Sequence, residues 1–283
     1  MTRWKAIGGA ALLAVCAVSM AALPVRAQAA CGEIVTLDTH DGTKAKYSLG
    51  GVSKNATVAL VLLSGGGGFH NLDDDGCPRY LKGASLNRKR PLFQGSGFAT
   101  ALVDSPDDYR GREGLGGFRI RADHAADIGK VIADVRRRTS LPVWLAGSSR
   151  GAISAANAAS RLKGARAPDG LVLISPVTSG REGAYKAWVA QTVFSTDLDE
   201  IRVPVLVVVH ADDKCVRTPP HLGDDILDKT NGSREQAVTV TGGPGWNGGM
   251  SVKACKGRSP HGFIDQEAEV AAGIARFIRG GKY

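Results

Sequence analysis

One serine in this chain stands where it could be made nucleophilic. Ser149 sits in Gly147-Ser148-Ser149-Arg150-Gly151, with a glycine two places to either side. Glycines there allow a tight, strained turn that lifts the serine hydroxyl clear of the backbone. Such a hydroxyl attacks a carbonyl carbon only when a base takes its proton, and a histidine oriented by a carboxylate does this. The chain offers six histidines, His40, His70, His124, His210, His221 and His261, and an adjoining acidic pair, Asp212 and Asp213. A tetrahedral intermediate also needs two N–H donors at its oxyanion, each worth about 3 kcal/mol. Ser64-Gly65-Gly66-Gly67-Gly68 is a stretch whose missing side chains let backbone approach a ligand. It lacks the Gly-Lys-Ser/Thr ending and the Gly-x-Gly-x-x-Gly spacing of a phosphate cradle.

The elements that must hold these groups are legible as alternating patterns. A strand pair is expected around Ile34 to Leu37 and Lys44 to Leu49. Thr57 to Leu63 (TVALVLL) then runs apolar into the glycines. Phe98 to Val103, Pro142 to Ala146, Leu171 to Ile174 and Val203 to Val209 are further short apolar runs, the first of them ending at the turn signal Asp104-Ser105-Pro106. Runs without alternation imply strands covered on both faces, as in a parallel sheet. Between them, Ala122 to Arg138 carries Ala125, Ile128, Val131, Ile132 and Val135 at helical spacing. Ala152 to Leu162 and Gln266 to Ile278 also read as helices. Strands alternating with helices predict an α/β fold, a mostly parallel central sheet with helices on both faces. The stretch Gly180 to Glu200 is too short for a large cap domain.

Arg3 and Lys5, an apolar run from Ala6 to Leu23 and the small residues Ala27-Gln28-Ala29 have the layout of a secretory signal peptide. Gly8, Gly9, Ser19 and Pro24 interrupt the run, against a membrane anchor. Cleavage is expected after Ala29, leaving one domain over residues 30–283 and a periplasmic or secreted location. Gln28, three before Cys31, is not the residue a lipid-attachment signal wants. Without residues 1–29 the chain carries 33 basic and 27 acidic side chains, a modest +6. Arg88-Lys89-Arg90 and Arg136-Arg137-Arg138 lack interleaved aromatics, so they read as solvated basic faces and no nucleic-acid partner is expected. Cys16 leaves with the signal. Cys31, Cys77, Cys215 and Cys255 remain, an even count that suggests two disulfides with three possible pairings. They form no metal-ligand spacing, and no metal or cofactor is expected.

With its serine turn after one strand, an acid loop after VPVLVVV and Ser259-Pro260-His261-Gly262-Phe263 before the last helix, the sequence resembles the α/β-hydrolase family. The likeness is to small bacterial secreted members without a large lid, and it covers nearly all of the chain after the signal. The family's order of serine, acid and histidine implies Ser149 as nucleophile, Asp213 as acid and His261 as base. Asp213 matches the acid that precedes one residue and a Val-Val pair, here Lys214, Cys215 and Val216. Asp212 is the alternative, because Ala211 stands where many relatives have glycine. The resemblance implies oxyanion N–H donors at Arg150 and at Gly66, with Gly67 next. It places Cys215 two residues after the acid and Cys255 six before the base, so pairings 215–255 and 31–77 are expected.

The activity so implied is hydrolysis of carboxylic esters of small molecules through an acyl-enzyme. A peptidase or amidase on the same residues is one alternative, and a binding protein that kept the fold without catalysis is another. No stable membrane anchor is expected after signal removal. His210 is expected to pack in the core and His124 on the apolar helix face, with His40 and His221 in loops. His70 is the rival base, placed before the serine. Arg119, in Gly116-Gly117-Phe118-Arg119, and Trp246-Asn247 are candidate substrate contacts, with a surface salt bridge and a mobile loop as the preferred readings. Tyr109, Arg110 and Arg112 follow a strand end where ligands bind in such folds, and arginines there would suit an anionic substrate.

Overall fold

The apolar runs are continuous because both faces of their strands are covered. The computed structural model describes residues 1–2, 31–111 and 113–283. The expected signal segment from residue 3 onward, Cys16 within it, and Arg112 lie outside the described residues. Val58, Leu60 and Leu62 pack into one hydrophobic cluster while Ala59, Val61 and Leu63 pack into the other, as the two-residue period of a strand dictates.

Eight strands form one sheet among the described residues: β1 (Glu33–Asp38), β2 (Lys44–Gly50), β3 (Val58–Leu63), β4 (Phe98–Val103), β5 (Val143–Ser148), β6 (Gly170–Ile174), β7 (Val205–His210) and β8 (Glu235–Val240). Their order is β1-β2-β4-β3-β5-β6-β7-β8. β2 is antiparallel to both β1 and β4, and every pair from β4 through β3 to β8 is parallel. Helices α2 (Ala122–Thr139) and α3 (Arg150–Arg161) cover one face, with Ile128, Ile132, Ala152 and Ala156 in its core. Helices α1 (Ser85–Gly95) and α5 (Glu267–Ile278) cover the other, with Leu86, Phe93, Ile274 and Phe277 buried. The short α4 (Asp224–Leu227) lies between β7 and β8. The chain between β6 and β7 makes only short 3₁₀ turns, and no cap is inserted there.

Besides the one-turn α4, two elements depart from the sequence reading. Helix α1 was not expected, since Pro91 lies inside it and it carries the basic run. Within that run Lys89 is fully buried and Arg90 nearly so, which corrects its reading as a solvated face. Lys89 Nζ donates to Ser85 Oγ at 2.6 Å, and Arg90 donates to Ser48 Oγ at 2.9 Å and Thr100 Oγ1 at 3.1 Å. Arg136–Arg138 close α2, where cations complement the helix dipole. Arg136 pairs with Asp169 at 2.6 Å, and Arg137 and Arg138 pair with Asp134 at 2.5 and 2.8 Å. Strand β8 (EQAVTV) was also missed, because an edge strand with one half-exposed face carries polar residues.

The chain passes from β3 to β4 on one side and from β4 to β5 on the other, so β3 is the switch point of the sheet. Such a reversal opens a crevice at the carboxyl ends of the strands. Leu63 at the end of β3 is in register with Gly147 on β5, which puts the glycine loop beside the Ser149 turn. No helix among the described residues is long and apolar enough to cross a membrane.

Candidate active site

Ser149 takes φ 55° and ψ −123° between β5 and α3, a backbone state a side chain adopts at a cost of about 1–3 kcal/mol. Its N–H donates to the Ile174 carbonyl at 2.9 Å. The flanking glycines are required by space. A Cβ on Gly147 would lie 2.6 Å from the Gly151 oxygen, and one on Gly151 would lie 1.9 Å from the Leu63 oxygen. The turn therefore projects Ser149, half-buried, into the crevice.

Asp213 and His261 come together from the loops after β7 and before α5. His261 Nδ1 lies 2.8 Å from Asp213 Oδ2, and both side chains are buried. Asp213 Oδ1 accepts the Cys215 N–H at 2.8 Å, and Oδ2 accepts the Thr218 hydroxyl at 2.7 Å. Three partners thus fix the carboxylate. The Ser175 hydroxyl donates to the His261 carbonyl at 2.9 Å and holds the 3₁₀ turn Pro260–Gly262. Asp212, the alternative acid, is exposed, and its N–H donates to His210 Nδ1 at 3.0 Å. Ser149 and His261 line the same cleft of about 410 Å³ with Gly65 and Gly66, without a direct hydrogen bond between them. Such contacts commonly tighten only when substrate binds.

The glycine loop forms the opposite wall. A Cβ on Gly65 would lie 2.8 Å from Ser149 Cβ, so this backbone touches the nucleophile candidate. Gly66 has φ 58°. The N–H groups of Gly66 and Arg150 have no acceptor among the described residues, whereas the loop carbonyls are held. Arg119 does much of the holding, donating to the Ser64 and Gly66 carbonyls at 3.2 Å each and to Ser154 Oγ at 2.7 Å. This corrects its surface reading: Arg119 is buried and pairs with no carboxylate among the described residues. Burial, followed by the Arg150 charge, pushes its pKa down. Leu115 N–H donates to the Gly67 carbonyl at 2.9 Å.

Disulfides join Cys215 to Cys255 and Cys31 to Cys77. The first spans 40 residues and ties the Asp213 loop to the His261 loop. Closing a loop of that length is worth about 4 kcal/mol in the chain-entropy estimate. Asp213, Cys215 and His261 cluster closely enough to suggest metal ligands, but the Cys215 sulfur is committed to its bridge. Cys31 is likewise committed, which leaves it no thiol for a lipid.

The remaining histidines have other work. His70 is fully buried with Nδ1 3.2 Å from Asn87 Nδ2, and burial lowers its pKa to about 3. It lines neither cavity that touches Ser149. His210 is in the core, bonded through Nε2 to Gln266 Oε1 at 2.8 Å, and His124 meets Ser154 Oγ at 2.8 Å. His40 bridges Asp127 at 2.6 Å and Asp108 at 3.1 Å. His221 lies in the middle of a short 3₁₀ turn (Pro220–Leu222) before α4. Trp246 and Asn247 border a separate surface hollow. Tyr109 stacks on Phe118 with ring centroids 4.2 Å apart, and Arg110 is exposed; neither lines a cavity that touches Ser149.

Arg181 and Arg217 went unnoticed in the sequence, and Arg150 was singled out only for its backbone N–H. A second cavity of about 580 Å³ is lined by Ser149, Gly66, Arg150, Arg181, Arg217 and Trp188, among others. Arg150 lies inside the serine motif and Arg217 four residues after Asp213, so proximity to the motifs was the available signal. Thr218 and Ser175 escaped notice because isolated hydroxyls carry no pattern.

No protein-family model matches the sequence, and no curated protein matches it. Solved structures do. Dienelactone hydrolase from Anabaena variabilis is 16% identical with a TM-score of 0.57, over 88% of this chain and 97% of that one. An α/β serine hydrolase without lid from Xanthomonas campestris is 15% identical with a TM-score of 0.55, over 87% and 93%. Est1E from Butyrivibrio proteoclasticus, in a structure with ferulic acid bound, is 15% identical with a TM-score of 0.58, over 87% and 98%. At these identities the likeness is one of fold: the chain has the α/β-hydrolase fold, with no cap domain among the described residues.

Proposed function

We propose that this α/β-hydrolase-fold protein is an exported serine hydrolase that cleaves carboxylic esters of small molecules. The observation that carries the reading is the buried 2.8 Å contact between His261 and Asp213, in a cleft shared with Ser149 on its strained turn. In this reading Asp213 accepts from His261 Nδ1, which leaves Nε2 to take the Ser149 proton as Oγ attacks the ester carbonyl. The unpaired N–H groups of Gly66 and Arg150 receive the oxyanion. His261 returns the proton to the departing alcohol, and a water then releases the acid from Ser149. The open crevice, with no cap above it among the described residues, suits small soluble esters. Two disulfides support a non-reducing compartment, in keeping with the signal-like N-terminus.

The test is a Ser149→Ala variant assayed on p-nitrophenyl acetate beside the unaltered protein, with fluorophosphonate labelling of both. Loss of hydrolysis and of label in a folded variant is the expected result. Retained hydrolysis overturns the assignment. Absence of label on the folded unaltered protein favours a binding module.

A further inference from the structure

The two cavities at Ser149 differ in which catalytic group they contain. His261 lines the smaller cleft and not the larger cavity, whereas Arg150 and Arg217 line only the larger. In acyl transfer the base that protonates the leaving alcohol must reach it, so the alcohol belongs on the His261 side. The acyl chain then extends into the larger cavity.

That cavity is apolar with a cationic rim. Ile153, Val177, Val216 and the Trp188 ring supply the walls, and among the described residues no aspartate or glutamate lines it. Arg119 is engaged by loop carbonyls, but the guanidiniums of Arg150, Arg181 and Arg217 have no carboxylate partner among the described residues. Arg150 lies over Trp188 at 4.0 Å from the ring centroid. Glu113, whose charge reaches Arg150, bonds instead to Lys186 and, at 2.7 Å, to Trp188 Nε1. Burial, followed by repulsion from Arg217, lowers the Arg150 pKa to about 10, and burial lowers that of Arg217. Two guanidiniums that repel each other in a partly dry cavity form a site that an anion relieves.

We propose that the larger cavity selects esters whose acyl part ends in a carboxylate, half-esters of dicarboxylic acids, with Arg150 and Arg217 receiving that carboxylate. The proposal rests on Ser149 being the nucleophile. Ser149 Oγ bonds to the ester carbonyl carbon as the alcohol oxygen leaves with the proton carried by His261. Water then adds to the acyl-enzyme, the Ser149 ester bond breaks, and the products are the dicarboxylate and the alcohol. The apolar walls would meet the methylene chain between the two carboxyl groups.

The mono-p-nitrophenyl ester of adipic acid and the p-nitrophenyl ester of heptanoic acid test this as a pair. The anionic ester should be preferred in kcat/KM by about ten-fold or more, with the preference shrinking as salt rises. Arg217→Gln and Arg150→Gln, the latter keeping its backbone N–H, should each lower the ratio about ten-fold. Circular dichroism of each variant establishes folding. If Arg150→Gln does not fold, Arg217→Gln alone decides. Equal rates on the two esters, or a ratio unmoved in the variants, overturns the proposal. A preference for 4-acetoxybenzoate over 4-acetoxybenzamide without one for the adipate overturns the acyl placement. Cleavage of either ester that persists in Ser149→Ala overturns the nucleophile reading itself, a separate failure.

Discussion

The Thr218 hydroxyl donates to Asp213 Oδ2, the same oxygen that faces His261 Nδ1, and lies 3.1 Å from that nitrogen. It therefore fixes the carboxylate in the orientation that aligns the imidazole. Thr218→Val keeps the shape and removes the donor, a loss of about 1 kcal/mol. The expected result is a kcat on p-nitrophenyl acetate lowered about five-fold with KM little changed. An unchanged kcat would show that the Cys215 N–H suffices.

The two neighbouring aspartates should separate sharply. Asp213→Asn leaves a buried amide against His261 and favours the wrong tautomer, so kcat should fall by a factor on the order of 10³ to 10⁴. Asp212→Asn, on an exposed side chain, should leave kcat/KM within about two-fold, the scale of surface substitutions. Steady-state kinetics of the pair, with circular dichroism, checks both. A large loss in the Asp212 variant alone would reverse the assignment.

Arg119 holds the glycine loop from beneath through two carbonyls and Ser154. In the proposed mechanism Arg119→Met should lower kcat more than it raises KM, because a loosened loop would lose the N–H donors assigned to the oxyanion, which act mainly in the transition state. The buried acceptors left unpaired should also lower stability by about 3 kcal/mol, read from urea unfolding. A variant with native kcat would detach Arg119 from the loop's function.

Stability should fall in acid partly through His124. Burial, aided by the charges of Arg119 and His40, lowers its folded pKa to about 3 from the ordinary 6.5. Between those values the unfolded chain binds a proton that the folded chain does not. Stability from this group is therefore present above pH 6.5 and is lost as the pH falls towards about 3. The slope is about 1.4 kcal/mol per pH unit. In His124→Gln the slope of unfolding free energy between about pH 4 and 6 should drop by about one proton. An unaltered slope would mean that His124 charges freely in the folded protein.

The sheet was legible where burial on both faces made strands uniformly apolar, as at Val58–Leu63 and Val205–His210. It was illegible at β8, whose half-exposed residues mix polar and apolar types, and at α1, where Lys89 and Arg90 are buried against oxygen acceptors that no local pattern announces. At the candidate site, order along the chain, read through the α/β-hydrolase resemblance, pointed to Ser149, Asp213 and His261, and to the Cys215–Cys255 bridge. What chain order cannot carry is the convergence of residues from separate loops. Arg150, Arg181 and Arg217 meet around one cavity only after folding, and an arginine in sequence looks the same whether it faces solvent or a ligand.

Gly151 abuts the Leu63 carbonyl so closely that the turn bearing Ser149 and the loop leading to Gly66 share one wall. The two halves of the crevice are set against each other by the fold alone, before any ligand arrives. Combined with the uncovered crevice, this leaves the proposed hydrolysis without an opening step. Its velocity should follow dissolved substrate hyperbolically, with no lag on mixing and no jump when an ester reaches its micelle-forming concentration.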